Sequence, residues 1–113
     1  MAFRNKEEFF RAVPPAPFVE VPIGGGESIR LKALNVAEMI RHEEAAKGKS
    51  ALEGVTLLVI ASAVNEDGEP LFDEADGPRL QAALTSDAFR EVFDAAAKIN
   101  GLGPDDVDQL EKK

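Results

Sequence analysis

The segment Ala51 to Val64 constrains this chain more than any other. From Val55 onward it is apolar almost all round, broken only by Thr56 and Ser62. A helix that is apolar on every side is the buried centre of its domain. The rest of the 113 residues must therefore wrap it. Val55, Leu58, Val59 and Ser62 are expected to be enclosed. Ser50 stands where a helix cap belongs, with Glu53 three residues on. The apolar run is far short of the ~20 residues a membrane span needs.

Upstream, Asn5 and Glu8 have capping-box spacing and open a short helix over residues 5–12, with Phe9 and Phe10 as its apolar edge. Pro14-Pro15-Ala16-Pro17 ends it, because proline lacks the amide donor and restricts the residue before it. Residues 1–16 thus read as a helical arm and prolyl spacer, 17–103 as the core domain, and 104–113 as an acidic helical tail. Residues 18–34 read as a β-hairpin. Val19, Val21 and Ile23 alternate with Phe18, Glu20 and Pro22, Gly24-Gly25-Gly26 makes the connection, and Ile29, Leu31 and Ala33 face one way. Pro22 cannot donate to a ladder, so its strand should be an edge. A lone hairpin is marginal and must lay its apolar face on helices.

Asn35 caps the next helix with Glu38 three residues on, and Val36, Met39 and Ile40 form its inner face. After the central helix, 65–70 is a turn and Leu71-Phe72 a buried plug. Asp73 or Asp76 opens a short helix holding Leu80, Ala83 and Leu84. Thr85-Ser86-Asp87 starts another, whose stripe is Phe89, Val92, Phe93 and Ala96, closed by Asn100-Gly101. The final acidic turns are anchored by Val107 and Leu110. The fold class is α+β, mainly α: a small helical bundle packed against one N-terminal β-hairpin.

Composition then excludes functions. There is no Cys, so thiolate metal sites, disulfides and cysteine nucleophiles are excluded. A single His, His42, excludes any two-histidine site from one chain. With Glu38 on the same helical face it makes an incomplete site, and it is read as a surface residue. The glycine triplet joins two strands and is followed by Glu27, which repels phosphate, so it is a hairpin turn rather than a phosphate cradle. A calcium loop over 63–74 would put Ala63 at the first ligand position and Pro70 at the eighth. The register on Gly77 would put Phe72 first. No serine stands in a glycine elbow. No assembled catalytic set, cofactor site or metal site is expected, and the chain is not expected to be an enzyme.

Thirteen basic against twenty-one acidic side chains give a net charge of −8. Nucleic acid is not an expected partner, because phosphate neutralisation needs the opposite sign. Residues 1–50 carry eight basic and seven acidic side chains, 51–113 five and fourteen, so the halves are +1 and −9. The acidic half is either a solvated surface or one that docks on a basic partner or on the neutral half of another copy. No signal peptide or membrane segment is read, and a cytoplasmic location is expected. Phe9 and Phe10 are core residues or partner contacts. Together with Phe72, Val107 and Leu110 they are the candidate partner-binding residues.

Residues 17–111 resemble the tail assembly chaperones of long-tailed bacteriophages and prophages. The likeness rests on the glycine-split hairpin Phe18 to Leu31 and the helix start Leu34-Asn35-Val36-Ala37-Glu38. It continues through the central helix running into Val64-Asn65-Glu66-Asp67-Gly68-Glu69-Pro70-Leu71-Phe72, and ends with Ala97-Lys98-Ile99-Asn100-Gly101-Leu102. The resemblance implies a mostly helical, non-enzymatic protein of the host bacterial cytoplasm. Such a protein binds the tape measure protein, keeps it soluble, helps recruit tail tube protein and is absent from the mature virion; self-association into oligomers is a possibility that the charge asymmetry adds. The alternative is a structural virion component of the tail or the head–tail junction.

Overall fold

The computed structural model describes residues 2–102. The predicted tail 104–113, with Val107 and Leu110, lies outside them. In chain order the elements are α1 (Lys6–Ala12), β1 (Phe18–Gly24), β2 (Glu27–Lys32), α2 (Val36–Ala46), α3 (Ala51–Ser62), β3 (Ala63–Val64), a 3-10 turn (Glu74–Asp76), α4 (Gly77–Ala83) and α5 (Ser86–Ile99). The fold is α+β and mainly α, as the sequence pattern implies.

The hairpin forms as read. Phe18 pairs with Lys32 and Val21 with Ile29, and the ladder shifts register between Pro22 and Gly24. Gly25 (φ 64°) and Gly26 (φ 79°) turn the chain in the left-handed region, where a side chain would be strained. The sheet, however, has three strands in the order β1-β2-β3. The central helix stops at Ser62, and Ala63 and Val64 pair with Leu31 and Arg30. Two buried residues at the end of an apolar run extend the sheet, because their backbone groups meet the free edge of β2. β1 is the opposite edge, where Pro22 costs no ladder bond.

The core is a layer of α3 and α5 on one face of this sheet. Val21, Ile29 and Leu31 meet Val55, Leu58 and Val59 of α3 and Val92, Phe93 and Ala96 of α5. Val55, Leu58, Val59 and Ser62 are buried, as α3's all-round apolarity demands. The two polar interruptions of that helix are both ties. Thr56 Oγ1 donates to Leu52 O at 2.7 Å and accepts from Gln81 Nε2 of α4 at 3.0 Å. Ser62 Oγ accepts from Asn100 Nδ2 at 3.2 Å. Buried hydroxyls cost free energy unless bonded, so these contacts make their burial tolerable.

Asn100 does more than end α5. Its Nδ2 also donates to Ala96 O at 2.8 Å, and its Oδ1 accepts from Leu34 N at 2.7 Å. It therefore binds the C-terminal end of α5 to the chain just beyond β2. Gly101 (φ 77°) completes the cap.

Several expected faces differ. Val36 and Ile40 of α2 are exposed, at 78% and 55%, and no residue of that helix is fully buried. Its half-buried side is Glu38, Met39, His42, Ala45 and Ala46. The capping box explains the rotation. Glu38 Oε1 accepts from Asn35 N, while Oε2 accepts from Lys32 Nζ of β2 at 2.6 Å, so the first turn is pinned with Glu38 toward the sheet. Small Ala45 and Ala46 then approach α3 where larger side chains would hold it off. Val19 and Ile23 share the face of Val21 but are exposed, at 37% and 40%. Ala83 is exposed, and Leu71 is exposed rather than a plug.

Candidate partner-binding surface

Two kinds of unsatisfied apolar surface stand out. The first is the arm. Asn5 caps α1 by accepting from Glu8 N at 2.9 Å, but Glu8 does not reciprocate; its carboxylate pairs with Arg4 at 3.1 Å. Phe9 and Phe10 are 45% and 67% exposed. Phe3 stacks edge-on to Phe9 and Phe9 to Phe10, with centroids 5.4 and 5.2 Å apart, so three rings form one wedge. No residue of α1 is buried. Of the two readings of Phe9 and Phe10, the structure excludes the core.

The second is a pair of grooves. One, of about 590 Å³, lies between α3, α4 and α5 over Leu52, Val55, Leu84, Phe89 and Phe93. The other, of about 470 Å³, lies between the hairpin tip and α4 over Ile23, Ile29, Leu71, Phe72 and Leu80. Leu84 lines both, so they meet on one side of α4. Phe72 is half-buried and packs on the core. The structure thus brings Phe72 to a groove wall and leaves Phe9 and Phe10 on the separate arm. Sequence reasoning missed Leu52, which is 55% exposed, and Leu71, which is 47% exposed. The signal available was a leucine in the first turn of the most apolar helix, on the side that faces no other apolar stripe.

A smaller cleft of about 250 Å³ separates α2 from α3 and the 3-10 turn. His42 lines it and is not the surface residue expected from sequence. Its Nδ1 is buried without a hydrogen-bond partner. Burial pushes the imidazole pKa down, and the Glu43 carboxylate offsets this only in part. For Glu38, burial alone would raise the pKa. The bonds from Lys32 and Asn35 N, with the charges of Lys32 and Arg41, outweigh it and hold the carboxyl below its ordinary value. Neither group has the partners of an acid–base pair. Among the described residues no three His, Asp or Glu side chains stand close enough to hold a metal ion, and no helix is long and apolar enough to cross a membrane.

What the arrangement offers is a pair of concave apolar walls and a detached aromatic wedge, a geometry for gripping amphipathic polypeptide.

No protein-family model and no curated protein matches the sequence. Among solved structures, the tail assembly chaperone of bacteriophage HK97 matches with a TM-score of 0.52 and 18% identity, covering 87% of this chain and 97% of that one. What is shared is the fold.

Proposed function

We propose that this chain is a phage tail assembly chaperone. It binds the tape measure protein in the host cytoplasm, keeps that protein soluble and helps recruit tail tube subunits. The observation that carries the reading is the fold shared with the HK97 protein over nearly the whole of both chains. The surface agrees with it. A client with long apolar helices needs apolar grooves to cover it and a charged body to hold the complex in solution. The Leu84 grooves supply the first, and a net charge of −8 the second. Phe72, Leu52 and Leu71 are the contacts assigned to the client. The reading gives the chain no chemical step.

Co-expression with the tape measure protein of the same phage is expected to raise the soluble yield of that protein, and Leu52→Glu to abolish the gain. No gain with the wild-type chain counts against the proposal. Mass spectrometry of finished particles separates the rival: stoichiometric presence there makes the chain a structural component instead.

A further inference from the structure

The sheet is closed along one edge and open along the other. Beyond β3, Leu71 N donates to Ala63 O at 3.1 Å, Val64 bridges to Pro70, and Asn65 N donates to Glu69 O at 2.8 Å, so the chain after the turn covers that side. No described strand lies beyond β1.

The ladder fixes what the open edge offers. Facing residues of an antiparallel pair alternate between those that exchange hydrogen bonds and those that turn their backbone groups outward. Ala33 N donates to Pro17 O at 2.9 Å, so these two face each other as a bonded pair. By alternation, Val19 with Leu31 and Val21 with Ile29 are bonded pairs as well. Phe18, Glu20 and Pro22 therefore aim their backbone groups away from β2. Arg30, which faces Glu20, agrees with this, because its own other neighbour is Val64 of β3. The edge thus presents the N–H groups of Phe18 and Glu20 and the carbonyls of Phe18, Glu20 and Pro22. Exposed edges are ordinarily blunted by prolines, bulges or lysines. Here Pro22 and the register shift after it blunt only the end at the hairpin tip, and Phe18 to Val21 have neither.

The side chains along this stretch are unfinished on both faces. On the core face Val21 is buried, while Val19 and Ile23 beside it are exposed. On the outer face Arg30 holds its neighbours in place. Its guanidinium lies 4.4 Å from the centre of the Phe18 ring, and both its bonds to Glu20, at 2.8 and 3.2 Å, fall on Oε1. The Glu20 side chain is half exposed, and its Oε2 takes part in neither bond.

We propose that β1 takes an extended segment of a partner protein as a further strand of the sheet, a segment apolar at alternate positions with lysine or arginine between them. Residues opposite each other on neighbouring strands share a face. The apolar residues of the segment stand beside Val19 and Val21 and cover the exposed Val19. The cation between them stands beside Glu20 and bonds Oε2. Backbone bonds supply the affinity of such an added strand, and its alternating side chains the specificity. The grooves beside α4 fit a helix and the edge fits a strand, so the two sites hold different segments. This inference goes beyond the chaperone reading and is tested without any client, so its failure leaves that reading standing.

The probe is an end-blocked synthetic peptide of alternating valine and lysine, added to the isotope-labelled full chain. Nuclear magnetic resonance is expected to show saturable binding. Hydrogen exchange at the Phe18 and Glu20 amides slows at least about tenfold, while the Val19 and Val21 amides, already bonded to β2, are unchanged. Glu20→Pro removes the outward donor and no bond to β2, and weakens binding at least about tenfold. Glu20→Ala keeps that donor, loses the carboxylate, and narrows the preference for this peptide over one with glutamate in place of lysine. Circular dichroism verifies each fold, and exchange in the wild-type chain decides alone if Glu20→Pro does not fold. A peptide that fails to bind, or binds without protecting those two amides, overturns the proposal. So does equal binding of the lysine and glutamate peptides by the wild-type chain. Protection of the same amides that rises with protein concentration in the absence of peptide overturns it too, because the occupant is then a second copy.

Discussion

Asn100 concentrates more of this fold in one side chain than any other residue. It caps α5, accepts from the backbone of Leu34 and donates to the otherwise unpaired hydroxyl of Ser62. Asn100→Ala leaves a half-buried amide and a fully buried hydroxyl without their partners, at a cost of about 2–3 kcal/mol. Asn100→Asp retains the acceptor for Leu34 N but sets a carboxylate oxygen against the Ala96 carbonyl at the negative end of α5, so it should cost at least as much as Asn100→Ala. Urea unfolding followed by circular dichroism checks the order; a milder loss for Asn100→Asp would show that the Leu34 bond outweighs that repulsion. The helix end at Asn100-Gly101 is legible in the sequence, because Asn and Gly there have a local backbone reason. The tie to Leu34 is not, since the two residues are 66 positions apart and nothing local marks the partner.

Among the elements, α3 and α5 are readable and α2 is not. An all-round apolar helix has one possible place, and a 3-4 stripe as clean as Phe89, Val92, Phe93 and Ala96 has one possible face. In α2 the apolar residues Val36 and Ile40 point outward because a polar contact decides the rotation. Glu38 closes the capping box with one oxygen and the Lys32 ion pair with the other. Periodicity weighs hydrophobicity and is blind to such a pair. Both partners are largely covered, at 23% and 28% side-chain exposure, so the pair escapes much of the screening that makes surface pairs negligible. Glu38→Gln keeps an oxygen for Asn35 N and removes the charge, and is expected to cost about 1 kcal/mol; Glu38→Ala removes both and should cost about 2. Ile40→Ser, on the exposed side of the same helix, should stay within about 0.5 kcal/mol of wild type. Thermal unfolding of the three variants side by side tests the rotation. A large loss for Ile40→Ser would mean that this face is covered.

At the scale of the molecule, α1 has no buried residue and contributes none to the core cluster. The body keeps every core residue, the whole sheet and the bond from Ala33 N to Pro17 O when residues 2–16 are removed. Its unfolding free energy at low concentration, where copies are apart, should therefore change by no more than about 0.5 kcal/mol. A loss of 2 kcal/mol or more would mean that the arm folds onto its own body. Helix α1 was legible in the sequence because Asn5 caps it and the prolines after Val13 end it. The grooves were not, because concavity arises where α3, α4, α5 and the hairpin tip fail to close on one another, and no single segment encodes that. This division has a consequence for the body's apolar walls. A protein that exposes Leu52, Leu71 and the phenylalanines Phe3, Phe9, Phe10 and Phe18 while carrying a charge of −8 holds its copies apart by repulsion and draws them together by apolar contact. Raising salt screens the repulsion of whole bodies and leaves the apolar contact in place. Added salt should therefore increase association of the full chain, read by sedimentation velocity; a chain that stays monomeric as salt rises would mean that these apolar walls do not meet.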